Sequence, residues 1–216
     1  MAPNLEMFEL KSGTIRIRKH DLTINLQSVE SHPIPKVALE QYSVPADLAA
    51  EILFRACYEF GDIEGKTVID LGAGTGRLAL GASMLGAEYA IGAELDRLAL
   101  EVGARNCKRL GLRVDWVLTE IETLRGTVDT VVMNPPFGTR SPHADTQFLQ
   151  TALRIGKVVY SIHKTSTRKH LERWFVEHNS KANVILSTDM EIPHQFSFHK
   201  KRKRYVEVDV FRTVRS

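Results

Sequence analysis

Thr67-Val68-Ile69-Asp70-Leu71-Gly72-Ala73-Gly74-Thr75-Gly76 is a short apolar run, rich in β-branched residues, that breaks into three alternating glycines. An unbroken apolar run suits a strand buried on both faces, and the glycines allow a sharp turn from that strand into a helix, expected to begin near Arg77. They also let a ligand approach the main chain closely. The spacing is GxGxG, not the GxGxxG with which dinucleotide binders cradle a pyrophosphate. The turn therefore favours a cofactor without phosphates and disfavours a nicotinamide dehydrogenase, and it places Asp70, Gly72, Gly74 and Thr75 beside that cofactor.

Downstream, four further apolar runs at 89–93, 114–118, 127–133 and 157–162 alternate with helical stretches. Alternation of this kind predicts an α/β fold: a mostly parallel sheet with helices on both faces. The last two runs, 182–192 and 205–214, have no helix between them and are expected to pair antiparallel, making seven strands in all. Upstream, Leu22, Leu26 and Val29 recur at helical spacing before Pro33 and Pro35 stop the pattern. Pro45 opens a second helix with an apolar stripe of Leu48, Ile52, Leu53 and Ala56. Residues 14–18 alternate like a strand. The division expected is a partly helical extension over 1–32 and one catalytic domain over 33–216.

At 216 residues the chain suits one core, and the charges scattered through its start leave no room for an uninterrupted apolar leader or membrane span. A cytoplasmic protein is expected. Cys57 and Cys107 lack CxxC spacing and a nearby histidine set, so both read as reduced buried thiols and no metal site is drawn. The formal charge is +3, but residues 196–216 carry seven Lys or Arg against two acids, a local +5. Lys200, Lys201, Arg202, Lys203 and Arg204 are consecutive and lie near Phe196, Phe198 and Tyr205. Such a run fits a polyanion such as RNA, the alternative being a solvated hairpin tip.

Glu94 closes the second run, 18 positions after Gly76, where a carboxylate can accept from both hydroxyls of a ribose. Asp96 stands two residues on and is the alternative. Glu120 and Ile121, after the third run, offer an acceptor for an adenine amino group and an apolar wall.

After Val131-Val132-Met133 comes Asn134-Pro135-Pro136-Phe137. Two prolines cannot continue a central strand's ladder, so this segment must project from the carboxyl edge of the sheet, where α/β ligands bind. An aromatic amine is a weak nucleophile because its lone pair is delocalised, and attack on a sulfonium methyl group needs that pair freed and aimed. The Asn134 side-chain carbonyl and the Pro135 backbone carbonyl can accept the two N–H bonds, Pro136 stiffens the segment, and Phe137 offers a face for a base to stack on. The alternative is an ordinary Asn-Pro turn with Phe137 in the core.

With Leu39-Glu40-Gln41-Tyr42 before these motifs, the run Met133 to Thr139, and Tyr160-Ser161-Ile162-His163-Lys164 after them, the chain resembles the small-subunit ribosomal RNA adenine N(6)-methyltransferase family. The resemblance implies the seven-stranded class I methyltransferase fold, S-adenosylmethionine as cofactor and an adenine 6-amino group in small-subunit rRNA as target. It implies that Gln41 and Val44 close over the cofactor while Gly72, Thr75, Arg77, Glu94, Glu120 and Ile121 line the rest of its site, with His163 and Lys164 toward RNA. It also implies a small zinc-binding activator protein at the edge of the sheet. The third run, with Val114, Trp116 and Leu118, would be that edge, and an apolar unpaired edge calls for a cover. Alternatively, Trp116 packs under a helix.

Two other enzymatic readings use the same acceptors, since a guanine 2-amino group and a glutamine side chain also present an NH₂. A catalytically silent RNA-binding scaffold is the reading from another class, and the intact Asn134 motif speaks against it.

Overall fold

The computed structural model describes residues 7–9, 15–35, 42–137, 144–192 and 204–215. The elements run β1 (Met7–Glu9), β2 (Ile15–Ile17), α1 (Lys19–Gln27), α2 (Ala46–Tyr58), β3 (Thr67–Leu71), α3 (Arg77–Met84), β4 (Tyr89–Glu94), α4 (Arg97–Arg109) and β5 (Asp115–Leu118). They continue with β6 (Val128–Met133), α5 (Ala144–Ile155), β7 (Gly156–Lys164), α6 (Arg168–Glu177), β8 (Ser180–Ile192) and β9 (Arg204–Arg215). The main sheet has seven strands in the order β5-β4-β3-β6-β7-β9-β8, and β1 pairs with β2 in a small antiparallel ribbon.

Strands β3 to β7 run parallel, as the alternating pattern requires, and β9 lies antiparallel to both β7 and β8. The predicted antiparallel pair is therefore present, with the last strand on its inner side, between β7 and β8. Burial explains the choice. Val208, Val210 and Phe211 of β9 are buried, whereas β8 carries Lys181, Asn183, Ser187 and Asp189 and suits an edge.

The sheet separates two apolar layers. Leu22, Leu26, Leu53 and Leu80 from α1, α2 and α3 pack on Val68, Val132, Tyr160 and Ile162. On the other face Leu149, Leu171 and Phe175 from α5 and α6 cover Ile69, Val131, Val159 and Phe211. Leu22 and Leu26 are wholly buried, so α1 belongs to this core and the expected boundary at residue 32 cuts beside an element packed into it. The Tyr160 hydroxyl and Arg212 Nε both donate to Asp62, at 2.6 and 2.9 Å, tying β7 and β9 to the loop after α2.

β5 is the edge strand, as expected, but Trp116 is not its exposed surface. A Cβ added at Gly76, Gly92 or Gly103 would stand 2.3, 2.5 or 2.7 Å from the indole, so these three glycines form a slot that the ring fills. The apolar side chains β5 leaves exposed are Val117 and Leu118. Cys57 and Cys107 are buried and unpaired in α2 and α4. Among the described residues no helix is long and apolar enough to cross a membrane.

Candidate active site

The carboxyl ends of β3, β4, β5 and β6 open on a cleft of about 270 Å³. Its floor is the glycine turn, where Gly72, Gly74 and Gly76 all have positive φ, a conformation that costs side-chain-bearing residues dearly. At Gly72 space matters as well, since a Cβ would stand 2.9 Å from the Phe148 ring of α5, which forms one wall. Asp70, Ala73, Thr75, Arg77, Glu94, Glu120, Ile121 and Val44 also line the cleft, and so do Asn134 and Pro136. The sheet thus gathers four strand ends that lie up to about 60 residues apart in sequence.

Glu94 is buried and does two things at once. Its Oε2 accepts from the Gly74 N–H at 2.8 Å, and its Oε1 accepts from the N–H groups of Leu95 and Asp96 at 2.9 and 2.8 Å. A carboxylate has about four lone-pair sites, so one remains for a ligand. Asp96, the alternative acid, is committed to the start of α4, where Oδ1 accepts from the Leu98 N–H at 3.0 Å. Asp70 is fully buried, and this burial, with the charge of Glu94 adding to it, pushes its pKa up to about 8 against one backbone donor, Ala79 N–H.

Arg77 lines the cleft, but its donors point elsewhere. Nε donates to the Leu26 carbonyl at 3.2 Å, Nη1 to the Val44 carbonyl at 2.5 Å and Nη2 to the Val29 carbonyl at 3.3 Å. Burial lowers its pKa and nearby Asp47 opposes that shift.

At the end of β6, Asn134 Nδ2 donates to the Tyr42 backbone carbonyl at 2.9 Å. Asn134 Oδ1 is buried and has no hydrogen-bond partner among the described residues. Pro135 is buried beside it, and Phe137 is half-buried against the helical layer, with Lys164 Nζ 5.4 Å from its ring centroid.

Three groups differ from expectation or fall outside the description. His163 is 2% exposed, packs edge-on to Phe211 at 5.9 Å and has its pKa driven down to about 3 by burial. It is a neutral core side chain and cannot serve as a surface cation for RNA; a strand-end His next to a Lys gave no hint of this. Gln41, and Lys200 to Lys203 of the basic run, lie outside the described residues, and Arg204 is described as backbone in β9 only.

Sequence reading missed Leu95, Phe148, His32 and Ser43 as wall residues. Leu95 was within reach of it: an apolar residue directly after the strand-end acid, 54% exposed, has no core to fill. The others become neighbours only through tertiary packing.

The side chains present fit S-adenosylmethionine. Glu94, Glu120 and Glu122 bring carboxylates to the cleft, while the one described cation among its walls, Arg77, is turned onto backbone carbonyls. Such a site repels phosphates and attracts a sulfonium nucleoside, with Leu95 and Ile121 as apolar faces for a base.

Residues 55–135 match the ribosomal protein L11 methyltransferase (PrmA) family. Over far more of its length the chain is 37% identical to the rRNA N(6)-adenosine-methyltransferase of Drosophila melanogaster, covering 91% of this chain and 96% of that one. The corresponding protein of Danio rerio is also 37% identical, over 87% and 94%. The crystal structure of a proposed RNA methyltransferase from Pyrococcus horikoshii superimposes with a TM-score of 0.85 at 42% identity, covering 92% of this chain and 98% of that one. With this extent of identity joined to a seven-stranded sheet and an acidic cleft closed by Asn134, the chain belongs to the family of rRNA N(6)-adenosine methyltransferases.

Proposed function

We propose that this chain transfers a methyl group from S-adenosylmethionine to the 6-amino group of an adenine in small-subunit rRNA. The observation that carries the reading is Asn134 Oδ1, a buried acceptor on the wall of the cleft with no partner among the described residues. A buried polar atom left unsatisfied costs about 1–3 kcal/mol, so its place in the fold calls for a donor that arrives with the substrate. An exocyclic amine is such a donor. Accepting one N–H at Oδ1 draws the nitrogen lone pair out of conjugation and toward the cleft, and the rigid Pro135-Pro136 pair keeps the acceptor from following the substrate. The cofactor supplies an electrophilic methyl group on a sulfonium. Glu94 and Glu120 hold its ribose and base, with Gly72, Gly74, Thr75, Ile121, Val44 and Gln41 around them.

One face of Phe137 is shared with the Lys164 ammonium, so a flipped adenine stacks on the other. The basic run Lys200, Lys201, Arg202, Lys203 and Arg204 supplies phosphate contacts. A small zinc-binding activator protein adds to the β5 edge, where Val117 and Leu118 are exposed. Protein-glutamine methylation has less support, because the relatives that match over nearly the whole chain are named rRNA N(6)-adenosine-methyltransferases, whereas the match to the L11 methyltransferase family spans only residues 55–135.

Mapping N(6)-methyladenine in rRNA tests the proposal. Cells lacking the gene should lose one small-subunit site, restored by the wild-type chain and not by Asn134→Ala. Loss confined to large-subunit rRNA, or no loss, would overturn it.

A further inference from the structure

We infer that Arg77 is a positioning residue for Asn134, linking the glycine turn to the acceptor amide through the backbone of residues 42–44. The inference rests on the reading of Asn134 as the acceptor for the target amine. A guanidinium in the first turn of α3 opposes that helix's dipole, so its placement has to be justified elsewhere. It is justified at the other end of α1, whose last turn has no basic residue: Arg77 donates there to the Leu26 carbonyl and, just beyond, to that of Val29. Its third bond, to the Val44 carbonyl, has a different consequence.

Two residues before Val44, the Tyr42 carbonyl accepts from Asn134 Nδ2. A carbonyl only accepts, so the atom facing it must be the amide nitrogen, and Oδ1 is thereby the atom left for a ligand. Among the described residues, no other hydrogen bond holds the backbone of Tyr42, Ser43 or Val44. The three-residue segment is held at one end by Arg77 and at the other holds the amide. Release of Val44 frees the Tyr42 carbonyl to move, and Asn134 can then rotate to present its NH₂, which repels an amine and suits an oxo group. Arg77 thus sets both the aim of the acceptor and the preference for an amino over an oxo substituent on the target base.

The test is the full-length Arg77→Met variant, read by the side-chain amide signal of Asn134 in ¹⁵N-labelled protein, identified by its loss in Asn134→Ala. Hydrogen exchange at this amide should be at least about tenfold faster than in the wild type. At saturating cofactor, single-turnover methylation of rRNA should fall about 10- to 100-fold, as expected for a small misplacement of a reacting group. If Arg77→Met does not fold, Arg77→Lys replaces it: the charge near α1 stays, but one ammonium cannot span three carbonyls, so the same acceleration is expected. Wild-type exchange and rate in a folded variant overturn the inference. Failure of the underlying reading looks different, because Asn134→Ala would then retain turnover whatever the exchange data show.

Discussion

Glu94 and Gly74 are joined across the cleft by a 2.8 Å bond from the glycine N–H to Oε2, so the acid that closes β4 also fixes the shape of the turn that follows β3. The carboxylate's other oxygen gathers two more backbone donors at the start of the α4 loop. Loop conformation therefore depends on one side chain, and on the proposed function ligand affinity depends on it too.

Replacing Glu94 with Ala should be felt twice. The cofactor loses a charged acceptor, weakening its binding about 10- to 150-fold. Three backbone N–H groups also lose their partner, lowering stability by about 1.5–3 kcal/mol. Calorimetry and thermal melts measure the two separately. A folded variant with unchanged cofactor affinity would show that Glu94 serves the turn alone.

Asn134→Ala should abolish methyl transfer while leaving cofactor affinity within about twofold, because on the proposed function its Oδ1, unpartnered among the described residues, serves the target amine. Asn134→Asp keeps an acceptor but sets a carboxylate oxygen against the Tyr42 carbonyl, so it should be nearly as damaging. Near-wild-type turnover in the Ala variant would remove the mechanism.

Gly103→Ala offers a reversal of sign. In an ordinary helix interior Ala is favoured over Gly by about 0.8–1 kcal/mol, but here the added Cβ meets the Trp116 ring, and overpacking should cost about 1–3 kcal/mol. In a Trp116→Ala background the same change should become stabilising. Denaturant titration of the four chains decides it, and a stabilising Gly103→Ala with Trp116 present would disprove the slot.

Asp70 makes stability depend on pH. Its folded pKa, about 8, lies above the ordinary carboxylate value because of burial and Glu94. Between those two values the folded state holds the extra proton, so stability is full below the unfolded pKa and declines as pH rises toward 8. Asp70→Asn removes this dependence. Melting temperatures from pH 6 to 9 should fall less in the variant than in the wild type, and equal slopes would count against a protonated Asp70.

The basic run separates an RNA substrate from a protein one. If about four of its cations neutralise phosphates of a single strand, RNA binding should weaken roughly 50-fold between about 50 and 200 mM salt. Neutralising Lys200, Lys201, Arg202, Lys203 and Arg204 together should flatten that slope without altering cofactor affinity. An unchanged slope would return the run to a solvated tip.

The amino-acid sequence by itself determined the parallel sheet, the glycine turn after β3 and the projection of Asn134 from β6, because each rests on local rules: apolar period, the φ freedom of glycine, the missing N–H of proline. Tertiary structure alone decided the rest. That Asn134 presents Oδ1 depends on a carbonyl 92 residues upstream. That Trp116 is held inward depends on glycines in three separate elements, and that α1 is core depends on Leu22 and Leu26 finding α2 and α3. His163 followed the same logic in reverse: its strand position was legible, but its burial beside Phe211 follows from the insertion of β9 between β7 and β8. A side chain's free donor or acceptor is what remains after distant partners have taken the others, and no local pattern records which partners those are.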